Sequence, residues 1–74
     1  MPETRAKEFL AALADVLEVS SIGPADDYRE TPLWGSLTAF ALKVMLKQRY
    51  RAEVAVRDLC SFRSAGELME RALG

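Results

Sequence analysis

Ser36 is the residue of this chain whose type and position are best suited to chemistry. It lies in the segment LWGSLTAF, between Gly35 and a run of residues with helical spacing. Serine is a preferred N-cap residue, because its hydroxyl accepts a hydrogen bond from an unpaired N–H group of the first turn. The same N–H groups and the helix dipole favour an anionic group at that end. Taken alone the segment favours a capping serine and leaves a chemical role open.

Other residue types exclude most catalytic chemistry. The chain of 74 residues has no histidine, one cysteine and a net charge of −1. It therefore lacks the commonest general base and metal ligand, and one cysteine forms neither an internal disulfide nor a zinc cluster. A chain this short buries only about 60% of the surface that its unfolded state exposes, which leaves space for one modest core. We expect a single domain, residues 1–74, that is not an enzyme and binds no metal.

Apolar residues recur at helical spacing in three stretches of the sequence. They predict a first helix within TRAKEFLAALADVLEVSS, a second within SLTAFALKVMLKQRYRAE and a last within SAGELMERAL, where Ser64 and Glu67 have the capping-box spacing. The second stretch is apolar over a wide arc, which is typical of a central helix. One helical turn is expected around Arg57–Cys60, with Cys60 as a small core residue. The predicted fold is an all-α bundle of three main helices and one short helix.

A long connection, SSIGPADDYRETPLWG, separates the first two predicted helices. Its prolines, glycines and acidic pair Asp26 and Asp27 are turn formers. Loops of this length are uncommon in small domains and are usually functional or ordered by their own packing. We expect Ile22, Leu33 and Trp34 to anchor the loop on the core, with Trp34 alternatively forming the flank of a docking surface.

The order of these features matches a known family along nearly the whole chain. Trp34-Gly35-Ser36-Leu37 opens the second helix, a spaced apolar series leads to AEVAV, and DLCSFRSAGEL runs from Asp58 to Leu68. This arrangement resembles the acyl carrier proteins and the related phosphopantetheine carriers. Their pattern is a helix, a long loop, D-S-L at the start of helix two, a short helix three and a helix four. The resemblance implies a small four-helix bundle of acyl-carrier type.

The same resemblance implies a function for Ser36. A phosphopantetheinyl transferase would attach 4′-phosphopantetheine to its hydroxyl from coenzyme A, and the thiol of the arm would carry an acyl or aminoacyl group as a thioester. The cofactor supplies the reactive sulfur, so the protein needs only to present it. The expected partners are that transferase and the acyl-loading and acyl-using enzymes. A freestanding, monomeric, cytoplasmic carrier of a specialised biosynthetic pathway is the expectation.

Three features depart from the family pattern. Gly35 replaces the aspartate before the serine, and Arg51 stands where a glycine commonly ends helix two. That helix is basic here, with no acidic residue between Ser36 and Ala52, whereas fatty-acid carriers present an acidic helix to basic enzymes. A basic helix is repelled by such enzymes and indicates other partners. The candidate docking residues are Trp34, Leu37, Phe40, Lys43 and Lys47.

Two alternatives follow from the same residues. A carrier-like bundle without the prosthetic group would act as a protein interaction module, and Gly35 keeps that alternative open. A basic-helix adaptor for nucleic acid is disfavoured, because the chain as a whole is slightly acidic. No stretch approaches the roughly 20 apolar residues of a membrane span, so we expect no membrane insertion, and the start of the chain has no signal-peptide pattern.

Overall fold

Four helices and one short 3-10 turn account for the regular structure of residues 3–74, the part of the chain that the computed structural model describes. The helices are α1 (Glu3–Leu17), α2 (Ser36–Tyr50), α3 (Val56–Leu59) and α4 (Ala65–Leu73). The 3-10 turn, Tyr28–Glu30, lies inside the long connection between α1 and α2. No strand occurs in this range. The predicted all-α class and the predicted order of three main helices and one short helix are confirmed.

The core lies where one face of each helix meets the others. Packing of α2 against α1, α3 and α4 confirms its predicted central position. Apolar residues four positions apart on α1 and on α2 stack on one face of each helix, and each fully buried side chain stabilises the fold by about 1.5–3 kcal/mol. The largest fully buried side chains are Tyr28, Phe9, Leu13, Leu17, Leu42, Leu46, Leu59, Leu68 and Val54.

Residues in the left-handed conformation end the two long helices. Glu18 follows α1 with φ 56°, and Arg51 follows α2 with φ 54° and ψ 31°. The N–H of Arg51 donates to the Lys47 carbonyl at 3.0 Å, which satisfies one of the unpaired carbonyls at the helix end. The second helix therefore ends at Arg51, the position where the carrier pattern commonly has a glycine, and the arginine adopts the left-handed conformation there.

The long connection is ordered because it caps the start of α4. Its carbonyl oxygens at Asp26 and Pro24 accept hydrogen bonds, both 2.8 Å, from the N–H groups of Ala65 and Gly66. The Ser64 hydroxyl accepts a third from the Glu67 N–H at 3.2 Å, as the capping-box spacing predicts. These are the first-turn donors that a helix cannot satisfy internally. The loop therefore stabilises α4 through its backbone.

The same connection is tied to α3 by two side chains. The buried Tyr28 hydroxyl donates to the Leu59 carbonyl, and Arg29 donates to the Cys60 carbonyl at 2.7 Å. Asp27 holds the guanidinium with contacts of 2.9 and 3.0 Å, and this pairing lowers the pKa of Asp27 and raises the pKa of Arg29. Asp27 thus serves as a turn former, as the sequence predicts, and also orients Arg29.

Two predicted burials are wrong. Cys60 is exposed, and it contacts the loop through its backbone carbonyl, which accepts the hydrogen bond from Arg29. Leu33 is 52% exposed and does not anchor the loop. That role belongs to Ile22, which is buried, and to Trp34, which packs against the core and meets the Tyr28 ring edge-on at 5.3 Å. The anchoring role of Trp34 is confirmed.

Candidate functional site

Ser36 is the first residue of α2, and its side chain is exposed. The N-cap position belongs to Gly35, which has no side chain to accept a cap hydrogen bond. The anchored Trp34 lies two residues before Ser36 and fixes where the loop enters the helix. Ser36 is therefore a first-turn residue and not the expected N-cap, and its side chain is open to solvent.

The first turn of α2 keeps unpaired donors. The first backbone bond at this end runs from the Ala39 N–H to the Gly35 carbonyl at 2.9 Å. The N–H groups of Ser36, Leu37 and Thr38 have no hydrogen-bond partner among residues 3–74. An anionic group on the Ser36 oxygen would meet these donors and the positive end of the helix dipole, an interaction of about 0.3–1 kcal/mol at an exposed position. The residues present therefore fit a phosphodiester at Ser36.

Nothing in the backbone at position 35 requires glycine. Gly35 has φ 178° and ψ −175°, an extended conformation that any residue adopts. A Cβ atom at this position would meet no atom within 4 Å. The aspartate that the carrier pattern has at this position would fit without a change of the surroundings.

A row of apolar side chains on α2 is exposed and begins next to Ser36. Leu37 is 88% exposed, Phe40 52% and Val44 38%, and Ala41 between them is also exposed. We call Leu37, Phe40, Ala41 and Val44 the apolar strip. The opposite face of α2 carries the buried residues Ala39, Leu42 and Leu46. The wide apolar arc of the sequence is therefore two faces, one in the core and one uncovered by residues 3–74.

The predicted docking residues divide by exposure. Leu37, Phe40 and Lys47 are exposed, whereas Trp34 and Lys43 are partly buried. Lys47 forms an ion pair with Glu53 at 3.4 Å, and both side chains are mostly solvent-accessible. Such pairs contribute little and exchange partners readily. Lys47 is thus available to an incoming group, and Trp34 acts mainly as a loop anchor.

A groove of about 920 Å³ opens on another side of the bundle, between α1, the start of the loop and the end of α2. Leu10, Val19 and Ile22 contribute apolar surface to it, and Lys7 and Arg49 are among its charged residues. It does not include Ser36 or the apolar strip. In the described range, no cluster of side chains suits a metal ion, and no helix has the length and apolar character to cross a bilayer.

Comparison with known proteins gives no relative. No protein-family model matches the chain, and neither a curated protein nor a solved structure matches it.

Proposed function

We propose that this protein is a carrier that holds 4′-phosphopantetheine on Ser36 and bears an acyl or aminoacyl group as a thioester. The observation that supports this most directly is the exposed hydroxyl of Ser36 at the first position of α2, beside three unpaired N–H groups. Plain N-capping does not account for Ser36, because Gly35 occupies the N-cap.

The chain's part in this function is to present one group. The arm, when attached, supplies the thiol that forms the thioester. Ser36 would provide the oxygen of the phosphodiester and lose its proton as the P–O–P bond of coenzyme A breaks and adenosine 3′,5′-bisphosphate leaves. The Leu37 and Thr38 N–H groups face the resulting negative charge. The Thr38 hydroxyl donates to the Leu33 carbonyl at 2.6 Å, which holds the loop onto the first turn and keeps Ser36 in place.

The partners in this proposal are a phosphopantetheinyl transferase and the enzymes that load and use the acyl group. The protein itself catalyses no step. Because α2 is basic, we assign the carrier to a specialised biosynthetic pathway and not to general fatty-acid synthesis.

Intact mass spectrometry tests the proposal. Incubation with coenzyme A and a broad-specificity phosphopantetheinyl transferase should add the mass of one arm. Ser36→Ala should abolish the addition, whereas Ser61→Ala, which removes another exposed serine, should retain it. No addition with several transferases, the native one included, would contradict the proposal.

Gly35→Asp should accelerate this modification, because it restores the acidic residue of the carrier pattern where a side chain meets no obstacle. Asp also gives α2 a side-chain N-cap, which adds a few tenths of a kcal/mol to the free energy of unfolding. Gly35→Asn is the matched control, since it caps the helix without the charge. Equal modification rates for the wild type, Gly35→Asp and Gly35→Asn would show that the transferase does not recognise the residue at position 35.

A bundle without the arm that acts as an interaction module is the second candidate function, and the exposed apolar strip favours it. It predicts that no transferase adds mass and that partner binding is the same for the wild type and for Ser36→Ala. Retention of partner binding together with modification at Ser36 would support the carrier.

A further inference from the structure

Positive charge is concentrated on α2 and its end. Lys43, Lys47, Arg49 and Arg51 give this region a charge of +4 with no acidic residue, and since the chain has a net charge of −1, the remainder carries −5. The molecule is thus strongly polarised although its net charge is small. A polarised charge distribution orients a protein before contact and selects partners of complementary sign.

The apolar strip lies on the same helix as these cations. Its residues occupy positions i, i+3, i+4 and i+7, the spacing by which a helix inserts one face into an apolar groove of another protein. At 3.6 residues per turn, Lys47 and the strip residue Phe40 project in nearly the same direction, seven positions apart. Arg51 follows directly after the helix and is exposed. The apolar strip therefore lies at the Ser36 end of α2, and the cations Lys47 and Arg51 lie at the other end.

Arg49 projects to the other side of α2. It lines the groove beside α1 together with Lys7, Glu8 and Asp15. In that groove the two carboxylates balance the charges of Lys7 and Arg49, whereas on the other side Glu53 is the acidic residue that pairs with Lys47. Arg71 lies near Lys47 and Arg51 in a second groove and adds positive charge at that end. The excess of positive charge is on the side of the strip.

We propose that the apolar strip, with Lys47 and Arg51, docks into an apolar groove of a partner protein whose rim carries carboxylates. The strip fills the groove next to Ser36, and the two cations pair with the rim at the other end of α2. This inference rests on the proposed function only in taking the partner to be an enzyme that loads or uses the carried group. It names the chemistry of the partner surface, which is opposite in charge to that of enzymes that receive acidic carriers.

The charge distribution favours a protein partner over an anionic membrane. A membrane surface is a broad plane of negative charge, and the remainder of this molecule, with its charge of −5, would be repelled by it. A protein groove confines its carboxylates to the contact and avoids that repulsion. The narrow strip also suits a groove, because only three large apolar side chains on α2 are exposed.

Two synthetic amphipathic helical peptides test the proposal. The leucine face of each peptide represents the apolar groove of the partner protein. Glutamates flank this face in one peptide, and lysines flank it in the other. Titration into the isotope-labelled, unmodified protein should shift the NMR signals of Leu37, Phe40 and Val44 with the glutamate peptide. We expect the glutamate peptide to bind on the order of tenfold more tightly than the lysine peptide. Its binding should weaken as the ionic strength rises from about 0.1 M to about 1 M, which shortens the Debye length from about 10 Å to about 3 Å.

Three variants sharpen the test. Lys47→Glu should weaken glutamate-peptide binding by about threefold to tenfold, while Arg49→Glu, the same charge change on the other side of α2, should leave it nearly unchanged. Leu37→Gln should weaken both peptides, and because Leu37 is 88% exposed, the fold is preserved. Circular dichroism verifies that each variant is folded.

The proposal would be overturned if the glutamate peptide did not bind, or if the two peptides bound with equal affinity. It would also be overturned if the NMR shifts were confined to the groove beside α1, or if Lys47→Glu and Arg49→Glu lost the same affinity for the glutamate peptide. Binding to vesicles that contain phosphatidylserine, with none to the glutamate peptide, would assign the strip to a membrane instead. Ser36→Ala should bind the peptide like the wild type. The outcome is therefore independent of whether Ser36 is modified.

Discussion

Arg51 has a conformation that suits glycine better than arginine. Its φ of 54° places it in the left-handed region, where a Cβ atom crowds the following carbonyl. The chain accepts this because the Arg51 N–H satisfies the Lys47 carbonyl and because the turn directs Ala52 and Val54, both buried, into the core. The strain belongs to this residue and can be relieved without disturbing any of those contacts.

We therefore predict that Arg51→Gly stabilises the protein by about 0.5–1 kcal/mol, since the relief of left-handed strain exceeds the added entropy of the unfolded chain. For a domain of this size, 1 kcal/mol raises Tm by about 4–8 °C. Thermal and urea unfolding measure the change. Arg49→Gly, two residues earlier and inside the helix, should instead destabilise by about 1 kcal/mol. If both variants were less stable than the wild type, contacts of the Arg51 side chain would contribute more to stability than the backbone strain at Arg51 costs.

The contact between the loop and α4 depends on the absence of a side chain at Gly66. A Cβ atom there would lie 2.9 Å from the Pro24 carbonyl oxygen, the same oxygen that accepts the Gly66 N–H. Helix propensity alone favours alanine over glycine at an interior helical position by about 1 kcal/mol. At this position the close approach of two elements opposes that local preference.

Gly66→Ala is accordingly expected to destabilise the protein. Crowding of this kind costs about 1–3 kcal/mol, which exceeds the gain in helix propensity, so we expect a net loss of about 1 kcal/mol. Gly23→Ala is the control within the loop, because its new Cβ would be in ordinary contact with Asp26 at 3.4 Å. Urea unfolding distinguishes the two. If Gly66→Ala were as stable as the wild type, the loop would have to move away from α4 at little cost.

At the scale of the whole molecule, Tyr28 connects the loop, α3 and the core. Its side chain is fully buried, its hydroxyl donates to the Leu59 carbonyl, and its ring contacts Trp34. Burial raises the pKa of the Tyr28 phenol above its ordinary value, because the charged phenolate is poorly solvated there. The neutral form is thus the form that the folded state accommodates.

This shift makes the fold sensitive to alkali. Because the folded pKa is higher than the unfolded pKa of about 10, the contribution of Tyr28 is complete below pH 10 and decreases as pH rises beyond it. The decrease is about 1.4 kcal/mol per pH unit until the folded pKa is reached. Urea unfolding at a series of pH values above neutrality measures it.

Tyr28→Phe is the control for the alkaline effect. At neutral pH it should destabilise by about 1–3 kcal/mol, since the buried Leu59 carbonyl loses its donor. Above pH 10 the difference between the variant and the wild type should narrow, because the variant has no phenol to ionise. A constant difference across that range would mean that Tyr28 does not titrate on unfolding.

Local spacing was sufficient to predict much of this protein from its sequence. Apolar residues at helical intervals identify three long helices and one short one, and the capping-box spacing of Ser64 and Glu67 identifies the start of α4. The resemblance to the acyl carrier proteins makes Ser36 the candidate attachment residue, and the loop sequence predicts Trp34 as an anchor. These features depend on residues near one another in the chain, so a linear pattern contains them.

Only the tertiary structure decided which surfaces the helices cover. Periodicity gives α2 a wide apolar arc, but the packing of α1, α3 and α4 determines that Leu42 and Leu46 are buried while Leu37 and Phe40 are exposed. Cys60 is exposed for the same reason, and the requirement for glycine at position 66 arises from a loop some forty residues earlier in the chain. Burial is a property of two surfaces in contact, whereas a sequence pattern describes one of them. The exposed apolar strip beside Ser36 could therefore be found only after the fold was known.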